Sequence, residues 1–226
     1  MASVSSGVLT LNRSHTTAIQ EHLDGVADDL LASLPPAAHL SAEERRGIIA
    51  RYTAVLEGNF IYWMTGAYLS VATEEARSII LENLHEEVRD SHPLMLRKFA
   101  MAARAVPTDS DALAVFRNLS NVRLFIGRLS PVPILITMAF FEGFIQRFMS
   151  YLADLAQRQG SAEQEYTDVH GVCDVTHTQE LFRALEAEMM LAQESLAPEK
   201  NLFEGVELLE DLIRNIFNPE FSIARH

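Results

Sequence analysis

From about His15 onward the chain keeps one hydrophobic period, that of an α-helix, and breaks it only at recognisable turn signals. Pro35-Pro36 ends a first helix over about residues 15–34. Ser41-Ala42-Glu43-Glu44 reads as a capping box opening a second, to about residue 71. Thr73 caps a third, which Pro107 stops, and a fourth covers about 109–128. Ser130-Pro131 opens a fifth that Gly160 ends, and Ser161 caps a sixth to about residue 196. The last begins near Pro198 and fades at Asn218-Pro219. Seven helices with short connections and no credible strand predict an all-α helical bundle. Residues 1–13 read as a flexible tail and 14–226 as a single domain. At 226 residues, 48% of them hydrophobic, the chain can bury one large core.

Composition excludes several function classes. A formal net charge of -13, with no basic stripe, argues against nucleic acid as a partner. The single cysteine, Cys173, leaves no internal disulfide framework and fits a reducing cytoplasm. No basic stretch followed by an apolar one opens the chain, so no signal peptide is expected. The most apolar run, about 132–145, carries Glu142 and is short for a bilayer. A cytoplasmic protein without a membrane partner is the expectation.

Acids and histidines at positions that the helical period buries are the informative residues. Glu142 lies in ILITMAFFEGFIQRF, apolar on nearly every face, so its carboxylate needs a partner. An ion pair with Arg147 or Arg128 is the plain reading, and a metal ion is the other. His170, Asp174 and His177 stand four and three residues apart and share one stripe of a helix. Two imidazoles and a carboxylate so placed make half a site for a first-row divalent metal, though a solvated face has the same spacing. Glu57 is a lone acid in YTAVLEGNFIYWM and is expected to face a cation. The stretch ENLHEEVRDSHP offers Glu82, His85, Glu86, Glu87 and His92. Helical spacing favours Glu82 with His85, whereas Glu87 with His92 requires local unwinding before Pro93. Carboxylates outnumber histidines, which suits iron or manganese more than structural zinc.

These motifs, in this order, resemble the haem-oxygenase-like di-iron oxidases and oxygenases. The resemblance rests on Glu57, on Asn83 to Glu87 with His92, on Glu142, and on His170, Asp174 and His177, across roughly residues 40–180. It implies a seven-helix haem-oxygenase-like bundle that holds two Fe ions, cycling between Fe(II) and Fe(III), through those seven ligands. It prefers Glu87 over Glu86 and displaces the Glu82–His85 pairing, although Val88-Arg89 replaces the usual glycine after the double Glu. Mn in place of one iron suits the same ligands.

The implied activity is O2-dependent oxidation of a small aliphatic substrate, an amino acid foremost, by desaturation, N-oxygenation or bond cleavage in specialised metabolism. A fatty-acid decarboxylase-type relative and a metal-free, thiaminase-like or cofactor-biosynthesis protein are the alternatives. Phe60, Trp63 and Phe141 would suit an aliphatic chain, and Arg123 could anchor a carboxylate. A homodimer is usual for this fold, and an electron donor is a further expected partner. A haem oxygenase proper would place its proximal histidine in the first helix, where His15 and His22 lack supporting context.

Overall fold

A computed structural model describes residues 5–192 and 201–219, with side chains described except at 5–14 and 172–175. Among the described residues there are nine α-helices, one 3-10 turn and no strand. The helices are α1 (Ser5–Ala32), α2 (Ala42–Leu56), α3 (Asn59–Ser70), α4 (Glu74–Arg89) and α5 (His92–Ala102), then α6 (Asp109–Ile126), α7 (Pro131–Arg158), α8 (Glu165–Ala192) and α9 (Glu204–Phe217). The helical period thus gives the right architecture, and nine replaces seven because two of the expected helices are each broken once.

Both breaks have a local cause. Between α2 and α3, Gly58 takes a left-handed φ of 79°, a conformation that costs a residue with a Cβ about 1–2 kcal/mol. Glu57 becomes the C-cap of α2 instead of a mid-helix residue. Between α4 and α5, Ser91 takes φ 56° and Pro93 enters the first turn of α5. Proline lacks the N–H of a continuing helix and its ring disfavours a helical residue before it, so the chain must unwind there.

Caps agree with the sequence at Ser41 and Thr73, whose side chains accept from the backbone N–H groups of Glu44 and Ala76. Thr108 and Asp111 add a capping box that opens α6. Ser161 is not a helix cap. Gly160 reverses the chain at φ 85°, four non-helical residues follow, and α8 starts at Glu165. Helix α1 starts at Ser5, inside the stretch read as a tail, and Pro198 lies outside the described residues.

The bundle is organised around α7. Its most extensive neighbour is α8, and α1, α2, α3 and α9 pack on its other sides. The apolar run alone is short for a bilayer, but the helix that carries it has 28 residues and is long and apolar enough to cross one. Inside the bundle 83% of its most apolar window is buried, as expected of a core helix. Helix α8 also packs against α4, which in turn packs against α3.

A second contact fixes α8. Glu188, 2% exposed, accepts from the backbone N–H of Ala72 at 3.0 Å and Thr73 at 2.7 Å, and from the Thr73 hydroxyl at 2.7 Å. One buried carboxylate from α8 therefore closes the α3–α4 connection. Removing it leaves buried donors unsatisfied, so Glu188→Ala is expected to lower unfolding free energy by about 3 kcal/mol. Urea unfolding checks this, and an unchanged midpoint would contradict it.

Candidate metal centre

Side chains from α4, α5 and α8 gather with one from the middle of α7. Unwinding at Ser91 lets Glu87, at the end of α4, meet His92, the first residue of α5. His92 Nδ1 lies 2.7 Å from Glu87 Oε1, and both side chains are buried. The His170 ring from α8 packs edge-on against that of His92, centroids 4.6 Å apart. One ligand atom each from Glu87, His92 and His170 lie within 4.8 Å of one another. Glu142 of α7, 3% exposed, joins them in the wall of one cavity.

His177, buried one side of this group, lies between two carboxylates. Its Nε2 is 2.8 Å from Glu86 Oε2 and its Nδ1 is 3.9 Å from Glu142 Oε1. Neither arginine expected to pair with Glu142 does so. Arg147 pairs with Asp24 and Asp28, and Arg128 pairs with Glu204. The Asp174 side chain lies outside the described residues.

Burial and neighbouring charges push the two packed imidazoles in opposite directions. His170 is pushed down to about 4, chiefly by burial, with the nearby His92 adding to it and the hydrogen bond to the Tyr166 carbonyl opposing. Its imidazole is therefore neutral at ordinary pH and ready to ligate. Burial also pushes His92 down, but the Glu87 hydrogen bond and charge, with Asp90 and Glu86, hold it above its ordinary value. Among the described residues the donors are buried imidazole nitrogens and carboxylate oxygens, a set that Fe(II) and Mn(II) accept, so these residues fit an iron site.

The cavity beside these groups has about 30 Å³ of open space. Glu87, His92, Glu142 and His170 line one end, and Phe60, Phe141, Leu96 and Ile145 are among its apolar walls. Of the expected substrate residues, Phe60 and Phe141 therefore reach it, stacked with ring centroids 5.8 Å apart. Trp63 is fully buried behind them, its ring edge-on to Phe141 at 5.3 Å. Arg123 is not at the cavity. Its Nε donates to Asn59 Oδ1 at 2.8 Å, and its guanidinium lies 5.7 Å above the Tyr62 ring.

Glu57 is not drawn into the cluster. As the C-cap of α2 it is about one-third exposed and pairs with Arg97 of α5. The expected cation is thus a guanidinium near the surface. Glu82 and His85 point to solvent, which leaves Glu87 with His92 as the pairing on this segment. Sequence reasoning missed Tyr166, whose ring centroid lies 4.2 Å from that of His170 and which lines the cavity. Its place one turn before a candidate ligand was the available signal.

A family model described as iron-containing redox enzyme matches residues 48–203. The chain belongs to that family, and its fold is a haem-oxygenase-like bundle. No curated protein matches it significantly.

The low His170 value makes a prediction about the metal-free protein. The unfolded chain takes up a proton near ~6.5 that the folded chain refuses until about 4, so this contribution is present above that window and lost on falling through it. Between pH ~7 and ~5 the loss amounts to about 2 kcal/mol. Urea unfolding of wild type and His170→Gln at both pH values isolates it, and an equal loss in both proteins would refute it.

Proposed function

We propose that the chain is a non-haem di-iron oxidoreductase that uses O2 to oxidise a small aliphatic substrate, an amino acid in the first instance. The observation that carries the reading is the meeting of Glu87, His92, His170 and Glu142 at one end of an apolar-walled cavity. His177, with Asp174 and Glu57 as the resemblance implies, completes a ligand set for a second ion. Membership of an iron-containing redox family supports iron over the other metals that such donors accept.

A bound, reduced iron pair would supply electrons to O2, which closed-shell side chains cannot do. The chain's own residues hold and shield that chemistry. Glu142, which lines the cavity with Glu87, His92 and His170 and faces His177, would help hold the metal. Phe60, Phe141 and Ile145 exclude water from the oxidising end and offer contact to alkyl groups. With about 30 Å³ open, the cavity admits O2 or a few waters, and a substrate enters when a wall side chain moves. Phe60 and Ile61 are half-buried side chains of that wall and are the candidates to move. The haem alternative gains no support: the His22 ring packs against Phe203, centroids 4.5 Å apart.

Anaerobic loading with Fe(II), then rapid mixing with O2, tests the reading. Two irons per chain and a transient visible absorbance, quickened by one member of a panel of aliphatic amino acids and fatty acids, are expected. An amino acid as trigger separates this reading from a fatty-acid decarboxylase. Failure to retain iron, with no O2 consumed, would return the chain to the metal-free alternative.

A further inference from the structure

The two histidines of α8 commit opposite ring nitrogens. His170 donates Nδ1–H to the Tyr166 carbonyl at 2.8 Å, one turn back on its own helix. Its Nε2 is the nitrogen left for the group that Glu87 and His92 form. His177 does the reverse. Its Nε2 lies 2.8 Å from Glu86 Oε2, and its Nδ1 faces Glu142 Oε1 at 3.9 Å. An ionised carboxylate can only accept, so Nε2 carries a hydrogen, and in the neutral imidazole that a metal requires Nδ1 is then the nitrogen with the lone pair.

The 3.9 Å separation is too long for a hydrogen bond. Two donor atoms each ~2.1 Å from one first-row ion stand about 3–4 Å apart, so the gap suits a shared cation. We propose that Glu86 is the positioning residue of the second ion. It fixes the His177 ring and tautomer so that Nδ1, together with Glu142, takes the metal. The proposal rests on the iron-pair reading above.

Helix geometry explains why the neighbouring acids differ. Successive side chains on α4 project about 100° apart. Glu87 turns into the core and is buried, whereas the Glu86 side chain stays 33% exposed on the flank that meets α8. The other Glu86 oxygen is 4.0 Å from Arg89, a weak surface contact that leaves Oε2 to the imidazole. A carboxylate behind a ligating histidine orients the ring and raises its basicity. The double acid of this segment is thus two devices: Glu87 a ligand of one ion, Glu86 the support for a ligand of the other.

The test has one arm without metal and one with Zn(II) as a diamagnetic probe. In the metal-free protein at pH ~8, nitrogen-15 spectra of the imidazoles read the tautomers directly. Hydrogen on Nε2 of His177 and on Nδ1 of His170 is expected, and Glu86→Ala should release the preference at His177 alone. Zn(II) competition against a chromophoric chelator should give two equivalents in wild type. Glu86→Ala should weaken one of them ~10–100-fold and spare the other. Glu86→Gln, whose amide oxygen still accepts from Nε2–H, should recover most of that loss. Hydrogen on Nδ1 of His177 in wild type, or an unchanged second affinity in Glu86→Ala, would overturn the proposal with the iron pair intact. So would complete loss of one equivalent in Glu86→Gln, since Glu86 would then be a ligand itself. A wild-type chain holding one ion would sink the iron-pair reading, and with it the metal half of the proposal.

Discussion

Placing carboxylates and imidazoles inside an apolar bundle is the constraint to which the other features answer. Glu87, His92, Glu142, His170 and His177 are all buried, and an isolated charge in such surroundings is strongly disfavoured. The bundle offsets that cost by facing the groups toward one another: Glu87 to His92, His177 to Glu86 and Glu142, and His170 to a backbone carbonyl. Arg147 and Arg128, the two basic residues expected to pair with Glu142, take other carboxylates instead. Among the described residues, buried carboxylates and imidazoles line this group with no guanidinium or ammonium in its wall, a donor set suited to a metal cation.

Convergence depends on two interruptions of regular helix. A continuous helix through Asp90 and Ser91 would turn Glu87 and His92 to different sides, five residues apart. The unwound residues remove that rotation, at the local expense of a non-glycine residue at positive φ. Gly58 does similar work for the cavity, since α3 changes direction there and brings Phe60 over Phe141. Helix α8 needs no break. It is held from one side by Glu188 on the α3–α4 connection and from the other by the Tyr166 hydroxyl, 2.9 Å from that of Tyr52.

How far the sequence could be read follows from what kind of signal each residue carried. Helices, their caps at Ser41 and Thr73, and the burial of Glu142 are properties of short windows, and these were legible. Pairing of Glu87 with His92 was not legible from period alone, because a period assumes the helix that Pro93 interrupts. Pattern resemblance selected that pair because it compares spacings irrespective of backbone shape. Arg123 and Ser161 failed for another reason. Composition says that an arginine needs an acceptor and a serine can cap, but the acceptor of Arg123 proved to be Asn59, 64 positions away in sequence. Ser161 accepts from Glu163 in a turn that Gly160 had already begun.

Glu57 shows where the arrangement is loose. Its partner Arg97 is 61% exposed, and a solvent-facing pair of this kind contributes at most about 1 kcal/mol. Metal–ligand bonds are much stronger than that, so this pair would yield if Glu57 were offered a metal ion. The contrast with Glu87 is physical: Glu87 is buried and faces the His92 imidazole, whereas Glu57 sits at a helix end paired with a mostly exposed arginine. The half of the centre formed by Glu87, His92 and His170 is therefore preorganised by packing. The half around His177 depends on side chains at the bundle's edge, which is where an orienting carboxylate such as Glu86 has the most to contribute.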